Sequence, residues 1–172
     1  LATLDGETNR IVASHGAKAV AIIVPPTLSN EEYWAVRRLF RDGMKIDAIA
    51  HRCPPDPEGV EDDLLRKADL YPNTFGAEQI IGSPVTSEST LEACAQGSVK
   101  MLVVIGGPFV MSFSEEKFAE AMRKVECLVA IRTHRSVVTD CAQIVLPMTT
   151  FAEMDGTVTN FAGHVQRHWA AI

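Results

Sequence analysis

Three short segments of almost unbroken apolar character limit what this chain can become: Lys18–Val24 (K-A-V-A-I-I-V), Lys100–Ile105 (K-M-L-V-V-I) and Cys127–Ile131 (C-L-V-A-I). A strand with one wet face alternates apolar and polar residues. A strand buried on both faces does not, and such strands belong to parallel sheets covered by helices. Ile46–Ala50 and Ile144–Leu146 are shorter runs of the same kind and supply two more strands. No run approaches the ~20 apolar residues that a membrane span requires.

The segments between these runs read as helices. Leu4–Ser14 carries Leu4, Ile11 and Val12 among polar residues and is followed by Gly16, which tolerates a left-handed cap. Ser29-Asn30-Glu31-Glu32 has the form of a capping box, a hydroxyl with a carboxylate three residues on. The helix it opens runs through Trp34, Val36, Leu39 and Phe40 to Gly43. Glu61–Ala68 reads as a short helix, and Ser87–Gln96 as a longer one ending at Gly97. Ser114-Glu115-Glu116 opens a helix with Phe118, Ala121, Met122 and Val125 on one face. Regular alternation of strand and helix predicts a doubly wound, mostly parallel α/β sheet with helices on both faces and right-handed crossovers, a single domain over residues 1–172.

Composition narrows the function. A net charge of −6 disfavours a nucleic-acid surface or an anionic membrane surface. The start, L-A-T-L-D-G-E, lacks a secretory pattern and an initiator Met, so the expectation is a piece of a longer chain. Cys53, Cys94, Cys127 and Cys141 form no C-x-x-C pair, which argues against a zinc or iron–sulfur cage here and for reduced thiols. His51 and Cys53 open a segment, His51–Gly59, with three prolines; a surface turn is the simpler reading than a two-ligand metal site.

In open α/β sheets ligands bind beyond the carboxyl ends of the strands. After Ile105 comes Gly106-Gly107-Pro108, either a close backbone approach to a ligand or a tight turn. After Ile131 come Arg132, His134 and Arg135. The arginines could fork a phosphate, but solvated surface charge is the simpler reading, and no nucleophile accompanies His134. His164 and His168 are equally unsupported. After Leu146, Pro147 should stop the sheet ladder. The segment beyond it is rich in Thr, Gly, Asn and Asp, and reads as a long irregular loop anchored by Phe151, Val158, Phe161 and Val165. Glu153 and Asp155 form a candidate carboxylate pair. The simpler role for Glu153, Thr157, Thr159 and Asn160 is hydrogen bonding to local backbone that stiffens the loop. There is no glycine–lysine phosphate loop, nucleophile elbow or H-E-x-x-H helix.

This closing stretch resembles the molybdopterin-dependent oxidoreductases. Their signature is close to A-D-V-V-L-P, then E-x-x-G-T-x-x-N, then G-R-V-Q. Here Ala142–Pro147 reads A-Q-I-V-L-P, Glu153–Asn160 reads E-M-D-G-T-V-T-N, and Gly163–Gln166 reads G-H-V-Q. Gln143 replaces the usual acid and His164 the usual Arg. Asn73-Thr74-Phe75-Gly76-Ala77 is similar to the family's loop that approaches the pterin, and the Asn-Glu-Glu helix extends the likeness more weakly.

The resemblance implies candidate cofactor contacts at Gly106, Gly107, Pro147, Thr149, Glu153, Gly156, Thr157, Asn160 and Gln166, with His164 in place of the arginine. It implies no catalytic residue and no metal ligand in this chain. The short layout and missing arginine are more similar to the large iron–sulfur subunit of NADH:quinone oxidoreductase, whose pterin-type domain is a scaffold, than to formate dehydrogenase. On that reading the fragment holds no cofactor, and iron–sulfur clusters lie elsewhere in the full chain. Its partners are other subunits of a peripheral arm, cytoplasmic and peripheral to the inner membrane. One alternative is the pterin-binding domain of a molybdenum or tungsten formate dehydrogenase or nitrate reductase type enzyme. Another, from the glycine pair alone, is a nucleotide-binding regulatory module.

Overall fold

The computed structural model describes residues 2–51, 61–64, 66–106 and 114–172. Five parallel strands form the central sheet: β1 (Val20–Ile23), β2 (Ile49–Ala50), β3 (Met101–Ile105), β4 (Cys127–Arg132) and β5 (Ile144–Pro147). Their order is β2-β1-β3-β4-β5. This is a common doubly wound order, with its switch point between β1 and β3.

Among the described residues six α-helices accompany the sheet: α1 (Ala2–His15), α2 (Asn30–Val36), α3 (Thr74–Ile80), α4 (Ser87–Gln96), α5 (Glu115–Met122) and α6 (Val137–Cys141). The π-helical turn Arg37–Gly43 extends α2. Residue parity divides the core. Val20, Ile22, Val103 and Val129 pack with Ile11 of α1, Tyr33 of α2 and Ile81 just past α3. Ala21, Ile23, Leu102, Val104 and Leu128 pack with Leu91 of α4, Phe118 of α5 and Val138 of α6. The expected helices on both faces are therefore present, and every residue of β1 and β3 is buried. Gly16 and Gly97 follow α1 and α4 with φ of 83° and 81°, as their helix-ending positions predict.

Two expectations need correction. Glu61–Ala68 is not a helix among its described residues. Asp62 Oδ1 accepts the amides of Leu64 (2.9 Å) and Arg66 (2.8 Å), and this local capping competes with helical pairing. The stretch after Pro147 is not an irregular loop either. After a 3-10 turn at Phe151–Glu153 it forms an antiparallel hairpin of β6 (Gly156–Thr159) and β7 (Val165–His168). Thr157, Val158, Thr159 and Val165 are β-branched and suit strands. Both faces are partly polar, which hid the alternation.

Gly107 and Cys53 lie outside the described residues. Among the described residues no helix is long and apolar enough to cross a membrane. Burial pushes the Cys94 thiol pKa up to about 12, so it stays protonated.

Ile22 is fully buried in β1, paired with both β2 and β3. Ile22→Ala should destabilise the chain by about 2–5 kcal/mol in urea unfolding, with the m-value unchanged.

Candidate functional site

The carboxyl rim of the sheet is organised by the amino end of α2. Pro25 and Pro26 break the ladder after β1, and Ser29 caps the helix. Its Oγ accepts the Glu32 amide (3.2 Å) while Glu32 Oε2 accepts the Ser29 amide (2.8 Å), the reciprocal pair expected from the sequence. Tyr33, fully buried, donates its hydroxyl to the Pro25 carbonyl at 2.6 Å.

The next two residues of the cap reach the hairpin. Asn30 Nδ2 donates to Thr157 Oγ1 (3.1 Å) and Thr159 Oγ1 (3.0 Å). Glu31 accepts the Thr157 amide (2.9 Å) on one oxygen and the Thr157 hydroxyl (2.8 Å) on the other. Asn73, fully buried, completes the joint: Oδ1 accepts the Thr159 amide (2.7 Å) and Nδ2 donates to the Leu28 carbonyl (2.7 Å). Gly76 makes this possible, because a Cβ there would overlap the side-chain oxygens of Asn30 and Asn73. Asn73-x-x-Gly76 is thus the start of α3, not a free loop.

Desolvation, the largest influence on Glu31, pushes its pKa up. The bonds from Thr157 and from the residue's own amide, with the nearby His168, outweigh it and hold the carboxyl below its ordinary value.

The residues implied as cofactor contacts fall into three places. Gly106 has φ +97° and packs on the β1 exit, where a Cβ would come within 2.5 Å of Pro25 Cγ. Pro147 ends β5 and Thr149 follows it, its hydroxyl 3.9 Å from Met154 Sδ. Glu153 Oε2 accepts the Thr150 amide (2.7 Å), and bonds from Thr150 lower its pKa. Gly156 lies between His168 and Ser29, where a Cβ would come within 2.7 Å and 2.9 Å of their atoms. Asn160 Oδ1 accepts the amides of Ala162 and His164, both at 3.0 Å, and closes the hairpin turn. His164 and Gln166 are exposed on the hairpin. Gly107 lies outside the described residues.

Glu153 and Asn160 thus stiffen local backbone as their types predict. Thr157 and Thr159 instead bond across to α2. Asp155 takes the Ala170 amide (2.8 Å) and Arg167 (3.5 Å), so it and Glu153 serve separate partners. Asn30 and Glu31 are anchors that sequence reasoning missed, two polar residues directly after a cap being the available signal; Asn73 was singled out there, but as part of a pterin-approaching loop and not as an anchor of the hairpin. Beside the hairpin tip lies a cleft of about 420 Å³ lined by Tyr71, Phe75, Glu78, Asn160 and Phe161. Arg135 is exposed as expected, but Arg132 is not a solvated charge: it is only 9% exposed. It ends β4 in step with Leu128 and Ala130, which face the covered side of the sheet.

Asn73→Ala should leave the Thr159 amide and the Leu28 carbonyl unpaired, at about 1–3 kcal/mol each, and raise hydrogen exchange first at Thr159. Glu31 gives the hairpin a pH dependence. With its folded pKa depressed, its contribution is present above the unfolded value and is lost as pH falls through the folded one. Protection of the Thr157 amide should fall over that acid range, and Glu31→Gln should flatten the profile.

Residues 73–172 match the family of molybdopterin oxidoreductases. The NADH-quinone oxidoreductase G subunit of Pseudomonas fluorescens is 30% identical over 95 residues, 55% of this chain and 10% of that protein. The NADPH-Fe(3+) oxidoreductase alpha subunit of Geobacter sulfurreducens is 36% identical over 77 residues, 44% of this chain and 9% of that one. The NADH-quinone oxidoreductase G subunit of Yersinia pestis is 27% identical over 95 residues, again 55% and 10%. The matched stretch is a tenth or less of each of these relatives. With the signature segments on the sheet's carboxyl rim and the family match covering well over half its length, the chain belongs to the molybdopterin oxidoreductase family.

Proposed function

We propose that this chain is a scaffold domain within the iron–sulfur subunit of an NADH:quinone oxidoreductase, supporting electron transfer without turnover of its own. The observation that carries the reading is the direction of the polar groups on the rim. Thr157 and Thr159 bond Asn30 and Glu31, Asn160 closes its own turn, and Glu153 caps its own turn. The oxygens of Thr157, Thr159, Asn160 and Glu153 are spent on bonds inside the chain, so the rim offers a pterin only their remaining donor and acceptor capacity. His164, in place of an arginine, lacks the forked donor set suited to a phosphate. As placed, these residues fit a bis-pterin poorly.

The outward surface of the same segment suits contact with other subunits. Phe151, Phe161, Val165 and Trp169 are 82%, 69%, 65% and 65% exposed. Apolar area of this kind rimmed by polar residues marks interaction surfaces. A second reading, an NADPH-driven iron reductase subunit, is favoured by the 36% identity to the Geobacter sulfurreducens protein.

The test is purification of the full-length protein with its native partners. The expected result is co-purifying NADH:quinone reductase activity, with molybdenum and tungsten far below one per chain by mass spectrometry. Activity with NADPH and ferric chelates instead selects the second reading. A stoichiometric molybdenum or tungsten content with formate or nitrate turnover overturns both.

A further inference from the structure

We infer that the carboxyl end of β4 is an oxyanion subsite, in which the Arg132 guanidinium holds a phosphate or carboxylate group. Arg132 Nε and Nη1 are out of solvent and have no hydrogen-bond partner among the described residues. Ser136 Oγ, four residues on in the turn into α6, is also out of solvent, but it faces the Thr139 amide in the capping box of that helix, so the subsite rests on Arg132. No carboxylate among the described residues forms an ion pair with Arg132. Glu88 and Glu92 of α4, Glu115, Glu116 and Glu120 of α5 and Asp140 of α6, the acids of the helices on that side, form no ion pair with it.

A guanidinium does not lose its proton in this situation. Burial lowers the Arg132 pKa, but from an ordinary value far above neutrality. A buried cation with no counter-charge is costly, and the cost falls when an anion shares the site. The chemistry of the ligand follows from the donors: cationic N–H groups with no acceptor call for an anionic oxygen, which a phosphoryl or carboxyl group supplies.

This place differs from the rim that the hairpin covers. By strand parity Arg132 lies on the α4, α5 and α6 side, with Leu128 and Ala130. The hairpin is bonded to α2 and Asn73, which belong to the other side. The subsite is therefore independent of the scaffold reading, and metal content does not bear on it.

The test is a thermal titration of the 172-residue chain with inorganic phosphate and, separately, sodium acetate, against sodium chloride at equal ionic strength. The wild type should show a saturable rise in Tm. A response to phosphate alone assigns a phosphoryl ligand; an equal or larger response to acetate assigns a carboxylate. Arg132→Met should lose at least about tenfold in apparent affinity, the loss of a charge-assisted hydrogen bond, while Arg135→Met, at an exposed neighbour, keeps the response. In chloride, Arg132→Met should melt at or above the wild-type temperature, because it removes an uncompensated charge. No saturable response, or the same response in Arg132→Met, overturns the subsite. A lower melting point or failure to fold in Arg132→Met overturns it too, since the guanidinium would then be paired within the chain.

Discussion

The buried side-chain amide of Asn73 is the joint on which the rim of this domain depends. One end of it takes the Thr159 amide and the other gives to the Leu28 carbonyl. Three segments far apart in sequence are therefore fixed by one planar group: the exit from β1, the start of α3 and the first strand of the hairpin. A buried amide holds its neighbours strongly because the alternative is unpaired polar groups out of water. Gly76 is required as well, since any side chain there would occupy the space of that joint.

The sheet and the hairpin are held by different physics. The sheet is held by burial of apolar strands between two layers of helices. The hairpin is held by hydrogen bonds from Asn30, Glu31 and Asn73, while its large apolar side chains point outward.

Much of the core was legible because its signal is local. Runs such as A-V-A-I-I-V cannot be half-wet strands, and Ser29 with Glu32 fixes a helix start without tertiary help. The hairpin was not legible as such: T-V-T and V-Q-R-H lack a clean apolar face because one side docks on polar groups. Arg132 was misread because its type favours solvent, and only the strand's parity with Leu128 and Ala130 shows which side it occupies. Glu61–Ala68 has helical composition, but Asp62 turns the backbone first. Asn30 and Glu31 were hidden inside a motif that already had a sufficient explanation, the helix cap.

The hairpin follows β5 at one margin of the sheet but is fastened to α2 above β1, with β4 and β3 between. It is thus a cross-brace over the carboxyl edge, tying a border strand to the interior. β5 has a neighbour on one side only, so it carries unpaired backbone groups on its outer side. The opposite, amino-terminal edge has a lighter tie: Arg10 and His15 of α1 reach Glu126, just before β4, at 3.2 Å and 3.0 Å through partly exposed side chains. Water competes for those bonds, whereas the Asn73 joint is out of its reach, so the two edges of the sheet differ in how firmly they are held.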